Sequence, residues 1–295
     1  MLTIHRIRNV SIFFCLFALF VSPLAAEEVV LKSISIKDSF SKGVDRYLEQ
    51  KYNKSVEYFR HCVNLEPDNA EYRCWLAQSM AYLLAERAKK GESKFSLIGD
   101  GKRVRDLYEK ALELNPQSER ARHGYGIILR DVPFLFGGNV NKARDMFESV
   151  LEENPDNTFV LHSLGLLHIR KKKEYKQGLE YLLKVIDIKK NRELTQEEKL
   201  NLANTYHAIG KTYFEHLDNP EKALDYMLKS YYQDPQSAVT LIDLVEIYQA
   251  LGREAEAKSK LMEALQIVRK NQYKRFAGDV KDAARDLDMD IDLDL

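Results

Sequence analysis

One stretch of the chain, from Asn204 to Pro235, constrains the fold more than any other. It reads NTYHAIGKTYFEHLDNPEKALDYMLKSYYQDP, a unit of about 34 residues that predicts two helices joined by a short turn. The small residues Gly210 and Ala223 mark where the two helices cross closely, and Pro235 ends the second helix because it has no backbone N–H to donate. A single hairpin cannot bury its own apolar face, so further hairpins should stack beside it.

Closing prolines place the other units in the same register. They are Pro67, Pro116, Pro155 and Pro235, and the fourth unit lacks its proline near Lys190. Polar residues that can cap the following helices agree with this register. They are Asn69, Ser118, Asn157, Ser237, the capping box Thr195 to Glu198, and Asn219 before Pro220. The sequence therefore predicts an all-α, right-handed solenoid of about six helical hairpins over residues 37–272.

The regions around the hairpins have their own patterns. Insertions occur near residues 84–103, where we expect two over-long helices joined by a loop around 91–99, and near residues 131–140. Residues 273–285 predict a capping helix. Residues 286–295 alternate aspartate with apolar residues, the period of a strand, and we expect a disordered acidic tail. The alternative is that this tail adds a strand to the sheet edge of another protein.

The second insertion contains three adjacent apolar residues, Phe134, Leu135 and Phe136. The interpretation we favour is that they fold back onto the hairpin as local core. The alternative is that they form a rim on which a partner docks, since exposed apolar side chains grouped together mark interaction sites.

The N-terminus predicts export. Basic residues precede an apolar run at residues 10–21, and small residues up to Ala26 form a cleavage site, so we expect a signal peptide at 1–26 and a short extended segment at 27–36. An uncleaved anchor is the alternative, but the run is shorter than the roughly 20 residues that span a bilayer. The exported chain should be periplasmic.

Composition and motifs narrow the function. The net charge is zero, which argues against nucleic acid as a partner. The chain has no nucleophile elbow, phosphate loop or metalloprotease motif, so we expect neither an enzyme nor a cofactor or metal site. Proteins or peptides are the expected partners, and contact with a membrane is expected only through them. The sequence does not indicate an oligomeric state.

The unit around Tyr206, Gly210, Ala223 and Pro235 resembles the tetratricopeptide repeat family, over nearly all of the mature chain. The loop from Pro133 to Gly138 resembles that of exported bacterial tetratricopeptide proteins and, less closely, the T component of tripartite ATP-independent periplasmic transporters. These resemblances imply a non-catalytic interaction scaffold of the bacterial cell envelope, which holds a partner segment in its concave groove. The alternative they imply is an accessory transporter subunit that works with a periplasmic binding protein.

Three histidines occupy equivalent positions, each three residues before a small glycine: His123, His162 and His207. The family resemblance implies that this position faces the concave groove. With Arg120, Arg130, Arg170 and Lys211 they would make a basic groove for an acidic partner segment, and the histidines would gain charge below about pH 6.5. The alternative, which we favour, is that each histidine is a polar packing residue.

Two cysteines remain in the mature chain, Cys62 and Cys74, on helices expected to pack together. A disulfide is one interpretation in an oxidising compartment. Two buried thiols are the interpretation we favour, since Cys62 occupies a core position where the family pattern has alanine.

Overall fold

The computed structural model describes residues 34–294, which form thirteen α-helices, two short 3₁₀ turns and one π turn, with no strand among them. The predicted all-α fold is confirmed. The predicted signal peptide and most of the extended segment at 27–36 lie outside the described residues. The chain divides into two compact units, Met1–Asp68 and Asn69–Leu295. None of the described helices is both long and apolar enough to cross a membrane.

The described part of the first unit, residues 34–68, contains one helical hairpin, α1 (Ile36–Leu48) and α2 (Tyr52–Leu65). The helices cross at Gly43, where an added Cβ would lie 2.8 Å from Cε1 of the fully buried Phe59. Close by, the Ser55 hydroxyl donates a hydrogen bond to the Gly43 carbonyl over 3.0 Å. The absence of a side chain at Gly43 therefore lets the Phe59 ring fill the crossing.

The second unit contains five hairpins and a terminal helix. The hairpins are α3 (Ala70–Lys89) with α4 (Lys94–Leu114), α5 (Glu119–Asp131) with α6 (Val140–Glu153), α7 (Thr158–Leu167) with α8 (Tyr175–Lys189), α9 (Gln196–His216) with α10 (Pro220–Gln233), and α11 (Ala238–Ala250) with α12 (Glu254–Asn271), followed by α13 (Ala277–Asp286). The second helix of each hairpin contacts the first helix of the next, so the hairpins form a stack.

The structure places helix ends where the sequence predicted them. Helices α2, α4, α6 and α10 each end two residues before their closing proline. All the predicted caps accept hydrogen bonds from backbone N–H groups of the helix that follows, and Thr195 and Glu198 form a capping box. These signals are predictable because they depend on neighbouring residues only.

Small residues mark the helix crossings of the second unit. An added Cβ at Gly126 would lie 2.5 Å from Cε1 of Phe147, and one at Gly165 would lie 2.8 Å from the Leu182 side chain. Both apolar partners are fully buried. The packing of a large apolar side chain against a glycine, predicted from the repeat unit, therefore sets the distance between the two helices in each of these hairpins.

The first insertion lengthens two helices, as expected, but the loop between them is shorter than expected. Only residues 90–93 separate α3 from α4, so the expected loop around 91–99 is wrong beyond residue 93. The physical reason is local. Ser93 caps α4 by accepting from the Ser96 N–H, and Arg87 binds both Glu92 and Asp100 across the turn, at 2.5–2.7 Å.

The second insertion exposes its apolar residues. Phe134–Phe136 form a 3₁₀ turn that ends at Gly137, whose φ of 92° suits a glycine. The side chains of this turn are 84%, 89% and 65% exposed, so the favoured interpretation of local core is wrong. Backbone hydrogen bonds stabilise the turn. The Gly138 N–H donates to the Pro133 carbonyl, and the Asn139 N–H donates to the Leu129 carbonyl. These bonds fix a short loop whose side chains project outwards.

The acidic C-terminal segment is ordered, contrary to our expectation. Leu287 and Leu293 are buried in the core formed by α11, α12 and α13, and Met289 and Ile291 pack against it. The five aspartates point to solvent. The apolar side chains of the segment thus all lie on one side, and that side packs against the core at the end of the stack.

Candidate binding surface

The first helices of the five hairpins in the second unit, α3, α5, α7, α9 and α11, contact one another in sequence. We call the surface they share the first-helix face. It is the surface that the sequence predicted as a groove. The predicted groove residues are on α5, α7 or α9, except Arg170, which lies in the π turn (His168–Lys172) that follows α7.

Two of the predicted histidines connect neighbouring hairpins. His123 Nε2 lies 2.9 Å from Ser163 Oγ, and His162 Nδ1 lies 3.0 Å from Thr205 Oγ1. Burial and, to a smaller extent, the positive charge of Arg130 together lower the pKa of each imidazole to about 3. The expectation that these two histidines become charged below about pH 6.5 is therefore wrong.

The third histidine belongs to an ionic cluster. His207 Nε2 lies 2.6 Å from Asp243 Oδ2, and Lys211 Nζ lies 3.3 Å from the other oxygen of that carboxylate. Lys211 also contacts Glu215 at 2.9 Å. Burial acts to raise the pKa of Asp243, but the bond from His207 and the charge of Lys211 outweigh it, so the pKa is lowered. Asp243 is thus an anion that neutralises part of the predicted basic surface.

Arg120 links three hairpins through a glutamine. Its Nη1 donates to Gln78 Oε1 over 2.5 Å, and its guanidinium lies 4.1 Å from the centre of the Trp75 ring. Gln78 Nε2 then donates to Glu197 Oε1 over 3.2 Å. Because Gln78 belongs to α3 and Glu197 to α9, hairpins that are far apart in sequence meet here. Arg120 therefore supports the packing of the unit.

The other two arginines differ in their surroundings. Arg130 is buried. It donates two hydrogen bonds of 2.8 Å to the Asp131 carboxylate and a third hydrogen bond to the Ser163 carbonyl. Arg170 is exposed and forms no hydrogen bond or ion pair with any other residue between 34 and 294. Desolvation by nearby protein lowers the pKa of Arg170, the charge of Arg130 lowers it further, and Asp131 and Glu215 oppose both effects.

The predicted residues thus lie on connected helices, but most already have partners. Sequence reasoning missed those partners, chiefly Gln78, Ser163, Thr205 and Asp243. One signal was present: Asp243 is the only charged residue in the apolar run from Leu241 to Val245. A polar residue in the middle of an otherwise buried helix indicates a specific partner.

Cys62 and Cys74 are both buried free thiols. Burial raises the pKa of each to about 11, so neither is a reactive thiolate near neutral pH. Within residues 34–294, no three or more His, Cys, Asp or Glu side chains are grouped so that they could bind a metal ion together.

Two segments of the chain, residues 48–69 and 203–237, match the tetratricopeptide repeat family. The chain contains tetratricopeptide repeats. The second matched segment covers most of α9 and α10, the hairpin from which the register was derived. No curated protein matches the sequence significantly.

Solved structures share the fold of these tetratricopeptide hairpins. PilW, a type IV pilus biogenesis factor, is 14% identical with a TM-score of 0.57, and the match covers 84% of this chain and 97% of that one. A chain of the APC/C hetero-tetramer Cut9-Hcn1 is 15% identical with a TM-score of 0.61, over 83% of this chain and only 42% of the other. At such identities, the likeness shows the fold alone.

Proposed function

We propose that this chain is a non-catalytic scaffold of the bacterial cell envelope that binds an acidic segment of a partner protein on the first-helix face. The observation that carries the proposal is Arg170, an exposed cation in the π turn at the end of α7, at the edge of that face, without a bonded partner among the described residues. Its neighbours Arg130 and Asp131 already bind each other. A carboxylate from outside the chain would complete the site.

Arginine suits this role because its planar guanidinium can donate two parallel hydrogen bonds to a carboxylate. Lys211 is a second cation near the same place. Its side chain is 38% exposed and lies 2.9 Å from Glu215, the carboxylate whose charge also acts on Arg170. A partner carboxylate beside Arg170 would therefore lie within the field of both cations.

The rest of the face favours binding without rearrangement. Bonds between hairpins hold the side chains of His123, His162 and His207 in place, so little conformational entropy is lost when a ligand binds. The envelope location is supported by the predicted signal peptide at residues 1–26.

The test compares two charge reversals of the same size in one hairpin. Arg170→Glu alters the proposed site, whereas Lys176→Glu alters an exposed position of α8, the second helix. Each variant of the mature chain is used to recover partners from an envelope extract, and affinities for a purified partner are then measured. Arg170→Glu should weaken binding about tenfold or more, because it removes a charge-assisted bond and adds repulsion. Lys176→Glu should change it less than about twofold.

Equal affinity of both variants would contradict binding at Arg170. The identity of the recovered partner separates the two functional classes. An assembly or secretion factor supports the scaffold, whereas a periplasmic solute-binding protein supports an accessory transporter subunit instead.

A further inference from the structure

Five large apolar side chains project into solvent from the two insertions of the second unit, and we call them the apolar rim. They are Phe95, Ile98, Phe134, Leu135 and Phe136, with exposed fractions of 86%, 53%, 84%, 89% and 65%. Single exposed apolar residues are ordinary on protein surfaces, but a group of this kind marks an interaction site.

The two insertions are joined into one surface by an arginine. Phe95, Ile98, Lys102 and Arg105 follow one another at spacings of three and four residues, so they lie along one face of α4. The guanidinium of Arg105 donates to the Phe136 carbonyl over 3.3 Å. The apolar face of α4 therefore leads directly to the exposed turn Phe134–Phe136.

Basic residues border this surface. Residues 86–106 include seven lysines and arginines and four acidic residues, although the whole chain is neutral. Asp100 is engaged by Arg87 and Arg103 at 2.7 and 2.9 Å. Lys102 is exposed, and the Arg103 side chain is 74% exposed. The border thus presents positive charge next to the apolar side chains.

We propose that the apolar rim inserts into the interface of an anionic phospholipid bilayer. Interfacial binding of proteins combines large apolar side chains, which enter the headgroup region, with lysines and arginines, which attract anionic lipids. Arginine and lysine stems can lie along the apolar layer while their charges stay among the headgroups. This site goes beyond the proposed function, and it differs from the expectation that the chain reaches a membrane only through partners.

Charge and shape favour a bilayer over other occupants. A second copy of the chain, docked rim to rim, would bring two positively charged borders together, which costs free energy. Side chains that dominate protein–protein binding usually fill pockets from which water is excluded. The rim side chains instead project from a helix face and a turn, a form suited to insertion into a fluid interface.

The experiment is co-sedimentation of the mature chain, residues 27–295, with vesicles of phosphatidylcholine alone or with one third phosphatidylglycerol. We expect binding to the anionic vesicles that weakens as salt is added. The triple variant Phe134→Ser, Leu135→Ser, Phe136→Ser should lower partitioning by at least about tenfold, since each side chain contributes apolar area that leaves water. Circular dichroism should be unchanged, because these side chains are exposed.

Two further variants probe the α4 part of the rim independently. Phe95→Ser with Ile98→Ser should also lower partitioning by at least about tenfold. Lys102→Glu with Arg103→Glu should abolish the preference for anionic vesicles, because each basic residue near such a surface adds attraction. Tyr232→Ser is the matched control, since Tyr232 is 71% exposed on α10 outside the rim, and partitioning should change less than about twofold.

Several results would overturn the proposal. They are failure to bind either vesicle, equal binding to both vesicles, and binding that the rim variants leave unchanged. A photo-crosslinker at position 135 that captures an envelope protein, in a chain that binds no vesicle, would assign the rim to a protein partner instead. Arg170 is not part of the rim, so failure here is distinguishable from failure of the proposed function.

Discussion

Lowering the pH from 7.5 to 5 should destabilise the second unit through His123 and His162. Burial lowers the pKa of both imidazoles to about 3, whereas a histidine in the unfolded chain titrates near about 6.5. The folded state thus keeps these rings neutral while the unfolded state takes up protons. The stability they contribute is fully present above about pH 6.5 and is lost progressively as the pH falls towards about 3.

The size of the effect follows from this difference in pKa. A pH of 5 is about 1.5 units below the pKa of a histidine in the unfolded chain. Proton uptake therefore stabilises the unfolded state by about 2 kcal/mol per ring, or about 4 kcal/mol for both. Because His123 and His162 are half-buried and keep some contact with water, the measured loss should lie at or below this figure. Domains are typically stable by about 5–15 kcal/mol, so the loss is large.

The assay is urea unfolding at pH 7.5 and pH 5, followed by circular dichroism and by fluorescence of Trp75, the only tryptophan. The double variant His123→Gln, His162→Gln keeps side chains that can hydrogen-bond but do not titrate. Its loss of stability between the two pH values should be smaller than that of the wild type by up to about 4 kcal/mol. His216→Gln, at an exposed histidine, is the control and should behave as the wild type.

An equal loss of stability in the double variant and the wild type between pH 7.5 and pH 5 would refute the role given to these two rings. It is equally refuted if the ring protons of His123 and His162 titrate in the folded chain with midpoints near 6.5 in NMR spectra. If it holds, mild acid adds no charge to the first-helix face through these two rings. Affinity for an acidic partner should then change little through them between pH 7 and pH 5.5.

Three further outcomes test the packing and the ionic cluster. Gly126→Ala should destabilise the chain by about 1–3 kcal/mol in urea unfolding, because the new Cβ would lie 2.5 Å from the buried Phe147 ring; unchanged stability would show that the ring moves freely. Cys62 and Cys74 should react with iodoacetamide only after urea is added, as measured by mass, because burial raises the pKa of each thiol to about 11. Asp243→Asn should cost about 1–3 kcal/mol at pH 7. The cost should shrink as the pH falls through the lowered pKa of the folded Asp243 carboxyl, and a cost independent of pH would contradict the ion pairing.

The fold could be predicted from the sequence because its signals are local and repeated. Pro116 and Pro155 each come two residues after a helix ends, and Ser118 and Asn157 cap the helices that follow. Each signal acts only on the one or two helical turns next to it in the chain. The close crossing at Gly126 was predictable for the same reason, since only the two helices of one hairpin determine it.

The surroundings of exposed segments could not be predicted in this way. Phe134 is as apolar as any core residue, and its exposure depends on how Pro133, Gly138 and Asn139 shape the turn. The alternation in residues 286–294 predicted that one side would be apolar. It did not predict which surface that side covers, because the core of α11 and α12 comes from another part of the sequence.

The candidate site was partly predictable. The repeat register placed His123 and His162 on one face, but their charge depends on what the next hairpin presents to them. Ser163 and Thr205 accept or donate a hydrogen bond without carrying charge, so the desolvated rings stay neutral. Spacing within one hairpin contains no information about that partner, which lies about 40 residues away in the chain.

The bonds that hold the hairpins together also limit what the first-helix face can bind. A ligand that bound Arg130 or His207 would have to replace the existing bonds to Asp131 or Asp243. Leaving the buried Asp243 carboxylate unpaired, or the buried Arg130 guanidinium without Asp131, would cost free energy. Arg170 has no such bond to replace, so a carboxylate gains there the whole of a new charge-assisted contact. If an acidic segment binds here as proposed, its selectivity follows from which cation the repeats leave unpaired, rather than from the total number of cations that the sequence places there.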